Sequence, residues 1–112
     1  MRRKDREVTD QKEIFDIVKD FSGDIFLWGN GKRGMAFQQF CKKHDINLSG
    51  VCDAVDESIG DDTSLGFTIV STDEVKQSKG IVVASNHIVF DALKKMDISA
   101  HILNLQQYIK YE

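Results

Sequence analysis

Apolar positions along this chain recur in blocks whose spacing switches between the helical and the extended period. Ile14, Ile17, Val18 and Phe21 stand at i, i+3, i+4 and i+7. Thr9 and Asp10 before them, with Glu13 three residues after Asp10, have the composition of a capping box, so a helix is predicted over 10–21. Ser22-Gly23 ends it. Ile25-Phe26-Leu27-Trp28 is apolar at every position, the pattern of a strand buried on both faces. Gly34, Phe37, Cys41 and His44 share a helical face, widened by Phe40, which predicts a helix over 32–44. Leu48 and Gly50-Val51-Cys52 give a second short strand that stops at Asp53.

The remainder repeats this grammar. Residues 54–66 are acidic, polar and punctuated by glycine, and read as a loop of 13 residues. Phe67–Val70 is predicted as a third strand, and Ser71 with Glu74 forms a capping box for a brief helix to about Gln77. Ile81–Ala84 is a fourth strand. Ile88, Val89, Ala92, Leu93 and Met96 form the next helical face, Ala100–Leu103 a fifth strand, and Asn104 with Gln107 would cap a closing helix carrying Leu105, Tyr108 and Ile109. Five strands alternating with helices predict an α/β three-layer sandwich, its sheet mostly parallel in the order 3-2-1-4-5, with helices on both faces joined by right-handed crossovers.

Composition narrows the class without changing that picture. The chain has 112 residues, 41% hydrophobic and 29% charged, and is read as one domain, 1–112, with residues 1–8 as a flexible tail. A net charge of −3 argues against nucleic acid as partner, which requires a basic face. Arg2-Arg3-Lys4 with Arg6 is read as a solvated tail. No apolar run reaches the ~20 residues of a membrane span and the N-terminus has no secretory pattern, which predicts a cytoplasmic protein. Cys41 and Cys52 form no C-x-x-C pair and are expected to be small buried hydrophobes. The acidic set Asp56, Glu57, Asp61 and Asp62 fits no calcium loop and is read as solvated.

The chemistry concentrates where the first strand ends. Gly29-Asn30-Gly31-Lys32-Arg33-Gly34 is a G-x-G-x-x-G loop between a strand and a helix. In such loops the first glycine makes the turn, the second lets backbone approach a phosphate, the third lets helix pack on sheet, and the N–H groups at the helix start face the anion. Asp53 follows Gly34 by 19 positions, close to the ~20 that separates such a loop from a ribose-binding acid, and its charge would disfavour a 2′-phosphate, hence NAD over NADP. A sheet order that reverses beside the first strand also brings Ser85, Asn86 and His87 to this crevice. Ser85 and Asn86 are candidate ligand contacts. His87 is the only histidine expected at this edge, but a general base needs a partner and a substrate within about 3 Å, and it is not counted among the catalytic residues.

Three further stretches align with this loop: Gly50-Val51-Cys52-Asp53, Gly66 to Val75, and Ile81-Val82-Val83-Ala84-Ser85. Together with Phe26–Gly34 they resemble the small Rossmann-like domains attached to sugar-modifying enzymes of surface-polysaccharide synthesis, such as the N-terminal domain of PglD-type sugar acetyltransferases, over about residues 24–104. The resemblance implies a nucleotide-sugar ligand, its phosphates near Gly29, Asn30 and Gly31 and its nucleoside near Asp53. It does not extend to acetyl transfer, for which the chain carries no module, and Asp53 is followed by Ala54 where that family often has a second Asp or Asn. The expected ligand is thus NAD or a UDP- or CDP-sugar, bound by Gly29, Asn30, Gly31, Lys32, Arg33, Gly34, Asp53, Ser85 and Asn86, with no catalytic or metal-ligating residue. A separate catalytic chain is the expected partner, with a homo-oligomer left open. The alternatives are the NAD-binding half of an oxidoreductase, a methyltransferase-associated subunit, and an interaction module without ligand.

Overall fold

The four apolar residues Ile25–Trp28 form strand β1 at the centre of the sheet. The computed structural model describes residues 16–53, 59–96 and 98–105. Along them follow α1 (Lys32–Lys43), β2 (Gly50–Cys52), α2 (Thr72–Lys76), β3 (Ile81–Ala84), α3 (His87–Lys95) and β4 (His101–Asn104). Residues 16–20 are also helical, so the predicted first helix is seen over its second half, while 10–15 lie outside the described residues. The closing helix is described only at Leu105.

All strand pairings are parallel, and the order is β2-β1-β3-β4. Leu27 pairs with Val51 on one side and Val83 on the other, and Val83 pairs in turn with Leu103. The strand period of two splits these residues between two cores. Ile25, Leu27, Val51, Val83 and Leu103 pack with Phe37 and Cys41 of α1 and with Val18. Phe26, Cys52, Val82 and Ala84 pack on the opposite face with Val75 of α2 and Leu93 of α3. The molecule is an α/β fold with helices on both faces of a parallel sheet, which is why its strands are apolar throughout.

Among the described residues the sheet has four strands, not five. The predicted third strand, Phe67–Val70, touches β2 only at the bridge Val51↔Ile69. The Val51 N–H donates to the Thr68 carbonyl and the Val70 N–H to the Val51 carbonyl, both at 2.9 Å. Two causes limit it. β2 offers only three residues, and the segment is also engaged by residues just before it: the Ile69 N–H donates to Asp61, the Thr63 N–H to Phe67 and the Gly60 N–H to Ile69. The apolar side chains of Phe67, Ile69 and Val70 are buried all the same. The last strand is displaced by one residue from its predicted 100–103, and Asn104, predicted as a cap, is its final, buried residue.

Cys41 and Cys52 are both buried and not disulfide-bonded. Burial pushes the Cys41 thiol from 9.0 up to about 12, because the packed interior does not solvate a thiolate. The folded state therefore holds this proton after the unfolded chain has released it. The stabilisation is complete below pH 9 and is lost as pH rises from 9 to about 12. Its slope is about 1.4 kcal/mol per pH unit. Denaturant titrations from pH 8 to 11 should show this decline in wild type and a shallower one in Cys41→Ala. Equal slopes would remove Cys41 as the cause.

Among the described residues, no helix is long and apolar enough to cross a membrane.

Candidate functional site

The carboxyl ends of β1, β2 and β3 meet around the glycine loop. From β1 the chain crosses to β2 on one side and later to β3 on the other, and the crevice opens where those two excursions part. The Gly29 N–H donates to the Cys52 carbonyl at 2.8 Å, and the Ser85 N–H to the Trp28 carbonyl at 3.1 Å, so each strand exit is tied to its neighbour.

The first and third glycines are required by the fold. Gly29 has φ 121°, a left-handed backbone, and a Cβ there would collide with the Ser85 hydroxyl and lie 2.7 Å from the Ser85 Cβ. A Cβ on Gly34 would collide with the Gly29 carbonyl oxygen and lie 2.9 Å from its carbon. Helix α1 thus starts in backbone contact with the turn. At Gly31 a Cβ would meet no atom within 4 Å. The middle glycine faces open space.

Around the loop lies a pocket of about 460 Å³ lined by Gly29, Asn30, Gly31, Lys32, Arg33, Gly34, Asp53, Ser85 and Asn86, with Ala36 and Val89 completing the wall. All nine residues expected from sequence to bind a ligand therefore line one cavity. His87 is not among them; it is exposed at the first position of α3. Asn86 also has a local duty, since its side-chain oxygen caps α3 by accepting from the Val89 N–H at 2.9 Å. His44 is the C-cap of α1, its ring tilted against Phe40 with centroids 4.8 Å apart.

The electrostatics of the pocket follow from the start of α1. Ser71 caps α2 and Asn86 caps α3 with side-chain oxygens, but the N-cap of α1 is Gly31, with no side-chain cap. The first N–H groups of a helix have no acceptor within it, and the macrodipole places a partial positive charge there. Lys32 and Arg33 occupy those first positions and no acidic residue joins them in the first turn. Two cations at the positive end of a helix oppose its dipole by roughly 0.3–1 kcal/mol each. An arrangement that is locally unfavourable for folding suits an anion. Asp53, half-buried at the end of β2, adds a carboxylate to the same wall.

Sequence reasoning missed Gln38. It lies on the inner face of α1, fully buried, one turn past Gly34. Its amide nitrogen donates to the Asn30 side-chain oxygen at 2.8 Å, and its carbonyl oxygen accepts from the Thr63 hydroxyl at 2.7 Å. The signal was its position four residues after Gly34 and three before Cys41, inside the apolar stripe.

Among the described residues, no group of three or more His, Cys, Asp or Glu could hold a metal ion; Asp61 and Asp62 are exposed, and Asp56 and Glu57 lie outside those residues. Comparison of the chain with protein-family models, with curated proteins and with solved structures returned no match.

Proposed function

We propose that this chain is a Rossmann-like domain that binds a nucleotide or nucleotide-sugar, with NAD and UDP- or CDP-sugars as the ligands to test first. It serves as a recognition module in sugar or polysaccharide modification beside a separate catalytic chain. The observation that carries this reading is the pocket shared by the glycine loop, Asp53 and Ser85-Asn86. Its chemistry is divided as a nucleotide requires. The uncapped start of α1 with Lys32 and Arg33 offers positive charge and N–H donors for phosphate oxygens. Asp53 offers acceptors for ribose hydroxyls. A volume of about 460 Å³ lies within the range of small-molecule sites.

A thermal-shift screen with NAD, NADP, UDP, CDP and UDP-sugars tests the reading. A ligand at 100 times its Kd stabilises by about 2.7 kcal/mol, which raises Tm by several degrees. With a binding ligand in hand, Asp53→Ala should weaken it about tenfold or more, the loss of hydrogen bonds to a charged group, and should narrow any preference for NAD over NADP. If none of the five ligand classes raises Tm, the nucleotide reading is wrong. If one binds and Asp53→Ala leaves its affinity unchanged, the ribose assignment alone is wrong.

A further inference from the structure

A chain of four groups runs from the loop before α2 into the pocket. The Phe67 backbone N–H donates to the Thr63 hydroxyl oxygen at 3.2 Å, the Thr63 hydroxyl donates to the Gln38 side-chain oxygen at 2.7 Å, and the Gln38 amide donates to the Asn30 side-chain oxygen at 2.8 Å. The same Gln38 nitrogen also contacts the Met35 sulfur at 3.7 Å. Thr63 and Gln38 are buried, at 7% and 0% exposure, so neither can exchange these partners for water.

The polarity of this chain is set by burial: the Thr63 oxygen could accept a second bond, but the reverse setting of Gln38 would leave the buried Thr63 hydrogen without the acceptor it has here. A backbone N–H only donates, so the Thr63 oxygen accepts there, and its single hydrogen is left for Gln38. Gln38 must then turn its oxygen to Thr63 and its nitrogen to Asn30. Asn30 must meet that nitrogen with its oxygen, and the amide N–H₂ is the end of its side chain that remains for the pocket it lines.

We infer that Gln38 is a positioning residue that fixes Asn30 as a hydrogen-bond donor toward the pocket, so that the ligand must present an acceptor there, a phosphate oxygen. The inference rests on the nucleotide reading and deepens it. It adds a neutral, oriented donor to the charges of Lys32 and Arg33, and it ties the geometry of residues 63–67 to the occupancy of the glycine loop. Gln38→Glu keeps the shape and, once ionised, removes the donor. Burial at this position favours the neutral carboxyl, whose O–H could still donate to Asn30, so the variant is titrated at alkaline pH. There the carboxylate accepts from Thr63, its outer oxygen faces the Asn30 oxygen, and Asn30 turns its N–H₂ inward and presents an acceptor to the phosphate.

Calorimetric titration with UDP, ADP and NAD tests this, with thermal melts to establish that each variant is folded. For whichever probe the wild type binds, Gln38→Glu should weaken affinity about tenfold or more, as the loss of a hydrogen bond to a charged group does. Asn30→Ala should do the same, and the double variant should be no weaker than Asn30→Ala alone, because Gln38 acts through Asn30. If Gln38→Glu does not fold, Thr63→Val takes its place: with Gln38 released to turn, affinity should fall in the wild-type background and not in Asn30→Ala. Wild-type affinity in the folded Gln38 or Thr63 variant, or losses that multiply with that of Asn30→Ala, would overturn the inference while leaving the nucleotide reading intact. If the wild type binds none of these probes and none of the ligands in the thermal-shift screen, both fall.

Discussion

Gly34→Ala is expected to lower the melting temperature by roughly 10 °C or more, a loss of about 3 kcal/mol or more. The added methyl falls on the Gly29 carbonyl, and both sides of that collision are backbone. Neither side can step away cheaply. Gly29 is fixed by its left-handed φ of 121° and by the bond from its N–H to Cys52. Helix α1 is fixed by the burial of Phe37, Gln38 and Cys41 against the sheet. Relief of the clash requires α1 to lift from β1, which would open the core around Leu27 and break the Gln38 bonds to Asn30 and Thr63 together. The cost is large against the ~5–15 kcal/mol by which domains are stable. Thermal unfolding followed by circular dichroism measures it, and a variant that melts within a degree or two of wild type would contradict the close approach of helix and turn.

The reach of the sequence into this structure was set by which interactions are local. The strands at 25–28, 50–52 and 81–84 were legible because a parallel sheet with both faces covered demands short apolar runs bounded by turn residues. The helix over 32–43 was legible from its stripe and from the glycine before it. Phe67–Val70 has the same apolar composition but does not continue as a strand, because continuation depends on the length of β2 and on the hydrogen bonds to residues 60–63. Those partners cannot be read from the segment itself. The site divides along the same line. The glycine loop and Asp53 declare themselves by spacing, whereas Gln38 is a polar residue in an apolar stripe whose meaning lies in Thr63, 25 residues away.

The middle glycine separates holding a fold from holding a ligand. Gly31 has φ −88°, which any L-residue adopts, and its side-chain direction is empty to 4 Å. Gly31→Ala should therefore change stability by less than about 1 kcal/mol, since a slightly poorer N-cap is offset by a less flexible unfolded chain. The same substitution adds a methyl group to a residue that lines the pocket and caps the helix whose N–H groups the phosphate would contact. Affinity for the nucleotide should fall about tenfold or more, equivalent to about 1.4 kcal/mol or more, and further for the bulkier Gly31→Val. The pair of measurements is what discriminates. A phosphate seated on the uncapped end of α1 predicts normal melting with lost binding for Gly31→Val, the opposite ordering to Gly34→Ala, for which stability fails first. If Gly31→Val keeps both its melting temperature and its nucleotide affinity, the anion does not sit on this helix end, and Lys32 and Arg33 oppose the dipole of α1 for some other reason.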